Sequence, residues 1–219
     1  MNIHRRALGL LLGSLTAALF LCVGAVRAES ITPLARHTMQ VVDSLDVEHH
    51  WPAGEHVHWE TGVPDGRSES AVGKHTHCSA FAAAAAQRLG IYLLRPPEHP
   101  QLLLANAQYD WLSAEGAARG WRALGSAVEA QHYANQGWLV LAAYKNHHDD
   151  KPGHIAIVRP GDKGTQVLTE EGPDITQAGG TNYRSVALRA GFAGHPAAWE
   201  HHEVIFYAHP VDPSQFPGG

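Results

Sequence analysis

Cysteine and methionine are almost absent from this chain, since each occurs only 2 times in 219 residues. Cys22 lies in a predicted signal peptide, so the mature chain would keep Cys78 alone and could form no internal disulfide. A lone thiol is a liability in an oxidising compartment unless it is buried or used. The scarcity of cysteine therefore favours a functional role for Cys78.

The N-terminus has the three parts of a secretory signal peptide. Residues 4–6 form a short basic segment, and residues 7–25 are an apolar run. Val26-Arg27-Ala28 then has small residues at the positions that a signal peptidase recognises. We predict that residues 1–28 are removed and that the protein is periplasmic or secreted. Without cleavage, the same segment would be a membrane anchor.

Charged residues are also few, at 17% of the chain, and acidic residues outnumber basic ones by 21 to 16. Removal of residues 1–28 takes away three arginines and no acid, which leaves 13 basic residues and a net charge of −8. Such an acidic chain is unsuited to non-specific nucleic-acid binding. No internal repeat is present, and the length predicts one domain over residues 29–219.

Helix signals dominate the first half of the chain. Residues 32–46 predict a helix capped by Thr32, with Pro33 in its first turn. The alanine-rich residues 77–89 predict a second helix that ends at Gly90. A capping box over residues 126–129 begins another. Residues 95–125 are interpreted as an insertion with at least one helix.

Strand signals dominate the second half. The runs WLVLAAY (138–144) and GHIAIVR (153–159) are apolar and of strand length. Further candidate strands, one of them in the first half, are residues 57–59, 165–169, 174–178 and 204–208. Helices followed by strands with short turns predict an α+β domain with a mainly antiparallel sheet and helices on one side. Residues 209–219 are expected to be a loose tail.

Cys78 lies where the second helix begins, in the sequence HCSAF. The helix dipole favours a thiolate there, and the unpaired N–H groups of the first turn suit a developing oxyanion. The alternative is a small buried residue that packs the start of the helix. The missing disulfide partner favours a nucleophile.

A thiol nucleophile needs a base, and the base needs an orienting group. His154 is the best candidate base, because it begins the strand GHIAIV directly after Gly153, although a histidine that merely ends a strand is the alternative. The orienting side chain should come from a neighbouring strand. The candidates, in order of preference, are Gln177, Asn182, Glu171 and Glu170.

The segments HCSAF, GWLVLA and GHIAIV together resemble the NlpC-type and CHAP-type cysteine peptidases and amidases, over about residues 74–180. Gly137-Trp138 stands where those families usually have Gly-Asp. The resemblance implies a papain-like domain in which Cys78 is the nucleophile, His154 the base, and Gln177 or a nearby residue the third member. It also implies hydrolysis of an amide bond in cell-wall peptidoglycan, or of a peptide, without a cofactor.

Four further residues are predicted to contact substrate. His77 precedes the nucleophile, and Trp59 lies in the loop before it. Tyr109 and Trp111 lie in the predicted insertion and would form a wall if that insertion folded over the cleft. For the three aromatic residues, the sequence favours burial in the core over this role.

The 17 histidines suggest a second hypothesis, a metal-binding site. His56 and His58 could share one face of a strand, and His75, His77 and Cys78 offer nitrogen and sulfur ligands suited to zinc. No His-Glu-x-x-His signature occurs, so we predict no metal site. The alternative function is a non-catalytic periplasmic protein that binds metal or cell-wall fragments.

Overall fold

The computed structural model describes residues 30–67 and 76–216. A six-stranded sheet organises this part of the chain, with neighbouring strands antiparallel and in the order β1-β6-β2-β3-β4-β5. The strands are β1 (Arg122–Leu124), β2 (Leu139–Tyr144), β3 (His154–Val158), β4 (Asp174–Ala178), β5 (Asn182–Ala187) and β6 (Ile205–His209). The α+β class with an antiparallel sheet is therefore confirmed.

Seven α-helices lie within the described residues. They are α1 (Pro33–Asp43), α2 (Cys78–Arg88), α3 (Leu104–Ala114), α4 (Ala127–Asn135), α5 (Thr165–Glu170), α6 (Leu188–Gly191) and α7 (Pro196–Glu200), with 3-10 turns at Gly116–Arg119 and Pro213–Gln215. None of these helices is long and apolar enough to cross a membrane. The predicted signal peptide lies outside the described residues.

The predicted helix caps are confirmed. The Thr32 hydroxyl accepts a hydrogen bond from the Ala35 N–H at 3.1 Å, with Pro33 as the first residue of α1. Ser126 accepts from the Glu129 N–H at 3.1 Å in the same way. Each side chain satisfies a first-turn N–H that has no partner within its helix.

Helices cover both faces of the sheet, so the expectation of helices on one side is wrong. One core cluster joins α1, α2 and α3 to the sheet, and a second joins α4, α6 and α7 to its other face. The reason lies in β2 and β3, in which every residue is buried. Strands that read as continuous apolar runs need cover on both faces.

The alanine-rich helix α2 packs over β3 and β4. Its residues from Cys78 to Ala86 are all buried. Small side chains let the helix axis approach the sheet closely, so the backbone at the start of α2 comes near β3. This helix fixes the position of Cys78.

Three local expectations are corrected. Residues 165–169 form helix α5, which buries Leu168, rather than a strand. Residues 57–59 form no strand, and Val57 makes only an isolated bridge to Pro64. Residues 95–125 hold α3 but also supply β1, which pairs with β6 at one edge of the sheet.

The C-terminal segment is packed in the part that the structure describes. Val211 is buried, and the Phe216 ring lies 4.1 Å from the His37 ring of α1, measured between centroids. Residues 209–216 are therefore not loose.

An ion-pair network attaches α1 to the sheet. The Arg159 guanidinium donates to both carboxylate oxygens of Asp43, at 2.7 and 3.1 Å, and to Thr176 Oγ1 at 2.7 Å. Arg184 donates to the same carboxylate at 2.8 Å. Burial alone would raise the pKa of Asp43, but the two arginines outweigh it and hold the pKa below its usual range.

We expect Asp43→Asn to lower the free energy of unfolding by about 2 kcal/mol near neutral pH, because Arg159 would lose its charged partner. A carboxyl with a lowered folded-state pKa stabilises the protein above its unfolded-state pKa of about 3.9. The difference between wild type and variant should therefore shrink as pH falls below about 4. Urea unfolding at several pH values measures it. The exposed carboxylate of Asp110, paired with Lys145 at 2.7 Å, supplies the control Asp110→Asn, which should change much less.

Candidate functional site

Cys78 is the first residue of α2, and its side chain is buried, with 3% of its surface exposed. The backbone N–H groups of Ile155 and Ser79 and the Thr76 side chain act to lower the pKa of the thiol. Burial nevertheless dominates and raises the pKa of the thiol. The resting side chain is therefore a neutral thiol at neutral pH.

His154 is the first residue of β3, directly after a close crossing of backbones. A Cβ added at Gly153 would lie 2.1 Å from the Tyr144 carbonyl oxygen, so only glycine fits there. The imidazole is buried, and its ring packs edge-on against Phe192 at 4.7 Å between centroids. Burial lowers the pKa of His154, although the hydrogen bond to Gln177 opposes this. The ring is therefore neutral at rest.

Gln177 on β4 fixes the tautomer of that ring. Its Oε1 lies 2.7 Å from His154 Nε2, and its Nε2 donates to the Thr181 carbonyl at 3.3 Å. Because the amide nitrogen is committed to a carbonyl, the amide oxygen must face the histidine as an acceptor. His154 Nε2 therefore carries the proton, and Nδ1 presents a lone pair.

The structure brings Cys78 close to the backbone next to His154 but not into a hydrogen bond with its ring. The paired residues of β3 and β4 are Ile157 with Thr176 and Val158 with Ile175, so the ladder ends before Ile155. Ile155 therefore lies outside this ladder, and its N–H acts to lower the pKa of the Cys78 thiol. Within the described residues, neither the sulfur nor any other group hydrogen-bonds His154 Nδ1.

Strand alternation explains this arrangement. Ile155 belongs to the core cluster on the α2 face together with Cys78, whereas Phe192, which contacts the His154 ring, belongs to the cluster on the other face. The thiol and the imidazole therefore approach the unpaired end of β3 from opposite faces of the sheet. Nδ1 is the nitrogen still available to a reacting group at that end.

The other candidates for the orienting residue lie elsewhere. Asn182 Nδ2 donates to the carbonyls of Val47, His50 and Trp51 at 2.8 to 3.1 Å, and so holds the loop after α1. The exposed Glu171 follows the last residue of α5, and its carboxylate lies 4.0 Å from Lys163 Nζ. Glu170 is the last residue of α5 and accepts from Gln166.

The four predicted substrate contacts are spread through the fold. His77 is buried, and its Nε2 lies 2.8 Å from the Glu55 carbonyl oxygen. Trp111 is a core residue whose ring packs against Tyr92. Trp59 and Tyr109 are partly buried against the same core, and Trp59 also contacts the Arg95 guanidinium. These contacts agree with core packing for the three aromatic residues.

The histidines considered as zinc ligands do not form a metal site within residues 30–67 and 76–216. No group of three or more metal-ligating side chains occurs there. His56 Nδ1 hydrogen-bonds Asp65 at 2.8 Å, and His58 is exposed. His75 lies outside the described residues.

The sequence did not indicate three residues that lie around His154, namely Phe192, His195 and Tyr144. Besides Phe192, the half-buried His195 lies with its ring 6.1 Å from that of His154 and 5.3 Å from that of Tyr144. Burial lowers the pKa of His195, and repulsion from His154 lowers it further whenever the His154 ring is protonated. Phe192 and His195 flank α6 and α7, which are too short to give a periodic signal.

Comparison with known protein families finds no family model that matches this chain. Comparison with curated protein sequences finds no match either. The chemistry of the site must therefore be argued from its own residues.

A raised thiol pKa makes a prediction about alkylation. In a Cys22→Ser background, the rate of Cys78 modification by iodoacetamide should keep rising with pH beyond the ordinary thiol pKa of about 8.5. Limited access slows the reaction equally at every pH, so the shape of the profile reports the pKa. The same protein unfolded in urea should instead level off near the ordinary value. A native profile that is flat above pH 7 would mean a pre-formed thiolate and contradict the neutral resting state.

Proposed function

We propose that the protein is an exported cysteine-dependent amidase or peptidase of papain-like, NlpC/CHAP-type fold that hydrolyses an amide bond in peptidoglycan. The observation that carries the proposal is the His154–Gln177 pair. Its 2.7 Å hydrogen bond leaves a buried imidazole with an unpartnered Nδ1, at the strand end where the next residue, Ile155, contacts the Cys78 sulfur. Any buried histidine needs one such bond, so the unpartnered Nδ1 is the feature that favours a base.

In the first step, the Cys78 sulfur attacks the carbonyl carbon of the amide, and the thiol proton passes to His154 Nδ1 through a water molecule at the unpaired end of β3, which the two side chains approach from opposite faces. Gln177 stabilises the imidazolium that forms, because its amide oxygen accepts from Nε2–H. The negative charge develops on the substrate oxygen. The N–H of Cys78 and a neighbouring donor at the start of α2 stabilise it.

In the second step, the imidazolium returns its proton to the leaving amine, and a thioester joins the acyl group to Cys78. Water then attacks the thioester while Nδ1 accepts its proton. The acid product leaves and the neutral pair is restored. The neutral resting state suits this cycle, since proton transfer is coupled to attack rather than completed beforehand.

The substrate class rests on the resemblance to peptidoglycan hydrolases and on the predicted signal peptide. Both agree with action on a cell-wall amide outside the cytoplasm. The α+β architecture, with a cysteine that begins a helix and a histidine that begins a sheet strand, supports the papain-like assignment. His77, Trp59, Tyr109 and Trp111 remain candidates for substrate contact within that proposal.

A non-catalytic protein of the same fold, binding cell-wall fragments or a metal, is the second candidate. The observation that favours it is the burial of Cys78, of which 3% is exposed, together with the absence of a hydrogen bond from its sulfur to His154 among the described residues. In that case the thiol would be a packing residue at the start of α2. The two candidates differ in whether His154 alters thiol reactivity.

We expect His154→Ala, in the Cys22→Ser background, to slow iodoacetamide modification of Cys78 near neutral pH by about 100-fold, the scale of general-base assistance. Cys78→Ala should abolish the reaction. His148→Ala is the matched control, because His148 is an exposed histidine of the loop before β3, and it should leave the rate unchanged. Equal rates in wild type and His154→Ala would favour the non-catalytic candidate.

Incubation with purified peptidoglycan tests the substrate. Mass spectrometry should detect fragments that have gained one water at a cleaved amide bond, and Cys78→Ala should yield none. If alkylation depends on His154 but peptidoglycan remains intact, the catalytic pair stands and another amide substrate must be sought.

A further inference from the structure

The loop over residues 145–153 joins β2 to β3 and ends at His154, and one side chain of α3 is bonded to two points on it. Asn106 Nδ2 donates to the Lys151 carbonyl at 2.9 Å, and its Oδ1 accepts from the Asn146 N–H at 3.1 Å. The Asn106 side chain is buried, with 7% of the residue exposed. Both halves of the amide are therefore used to hold backbone of this loop.

The same face of α3 holds the loop at a third point. Asp110, one helical turn after Asn106, accepts from Lys145 Nζ at 2.7 and 3.0 Å. Residues four apart share a face of a helix. Within the loop, Asn146 also bonds its own backbone, since its Nδ2 donates to the Pro152 carbonyl at 3.2 Å.

The Asn106 amide also lies directly against the residue before His154. A Cβ added at Gly153 would lie 2.6 Å from Asn106 Oδ1. The amide oxygen thus occupies the space beside Gly153 and limits how the backbone can move there. One residue further on, the chain enters β3 with the His154 ring directed toward Gln177.

We propose that Asn106 is a positioning residue for His154. The inference rests on the proposed function: Asn106 holds the loop over residues 145–153 so that the ring keeps its Nε2 bond to Gln177 and its Nδ1 facing the reacting group. α3 belongs to the segment predicted from the sequence as an insertion. That segment therefore acts on the proposed catalytic base through the loop, without touching the imidazole.

Asn135, the last residue of α4, provides a matched control. Its Nδ2 donates to the Gly161 carbonyl at 2.9 Å, its Oδ1 accepts from the Gly161 N–H at 2.8 Å, and 1% of the residue is exposed. Like Asn106, it is a buried asparagine that hydrogen-bonds the backbone, but at Gly161, beyond the C-terminal end of β3. Asn135→Ala therefore removes the same kind of contact without acting on the residues next to His154.

The test compares Asn106→Ala with Asn135→Ala by two measurements. NMR hydrogen exchange of the His154 Nε2–H reports the bond to Gln177, and iodoacetamide modification of Cys78 in the Cys22→Ser background reports the base. We expect Asn106→Ala to speed the exchange and to slow the modification at neutral pH by about tenfold each, since ångström-scale displacement of a reacting group costs up to about 100-fold. Asn135→Ala should change neither by more than about twofold, even where it lowers stability by a similar amount.

Equal changes in the two variants would overturn the positioning role, because general loosening would then explain both. If the proposed function fails, His154→Ala leaves Cys78 modification unchanged, but exchange of the Nε2–H still separates Asn106→Ala from Asn135→Ala. If Asn106→Ala does not fold, Asn106→Asp retains the acceptor for Asn146 and removes the donor to Lys151. It should then speed exchange in the same direction, and an unchanged exchange rate in that variant would refute the proposal.

Discussion

The hydrogen bond from His154 Nε2 to Gln177 Oε1 is the interaction on which the site depends. A buried imidazole has two nitrogens of different character, and only a committed partner decides which one carries the proton. Gln177 can decide this because its own amide nitrogen is bonded to the Thr181 carbonyl. A neutral amide also adds no charge to a buried site, so it orients the ring without making an imidazolium the resting form.

Close packing around this pair limits what the chain can place there. A Cβ added at Gly191 would lie 2.9 Å from Gln177 Oε1, and one added at Gly179 would lie 2.8 Å from Gln177 Nε2. Backbone at Gly179 and Gly191 therefore approaches the Gln177 amide closely, whereas the rings of Phe192 and His195 lie next to His154.

Much of the fold could be predicted because its signals are local. Helix α2 follows from its alanine run, α1 and α4 from their caps, and β2 and β3 from apolar runs of strand length. The edge strand β5 was missed because none of its residues, NYRSVA, is fully buried and they show no apolar run. The TQVLT segment of α5 contains β-branched residues that favour a strand, yet a single buried leucine, Leu168, anchors it as a helix.

The site was predictable in its chemistry but not in its surroundings. Cys78, His154 and Gln177 each begin or lie on an element with a clear signal, so their residue types could be related to one another. Asn182, an equally plausible amide, holds a loop instead, and only the tertiary pairing of β3 with β4 separates the two. Asn106 could not have been predicted, because its role depends on backbone groups some 40 residues away that carry no sequence signature.

The burial of Cys78 has a consequence for the oxidation of its thiol. Oxidants and disulfides react with thiolates far faster than with thiols, and they need access to the sulfur. A protonated sulfur enclosed by helix and strand is therefore protected from sulfenic acid formation and from mixed disulfides with other proteins. In the oxidising compartment that the predicted signal peptide implies, this enclosure would keep a single thiol reduced although it has no cysteine partner for a disulfide.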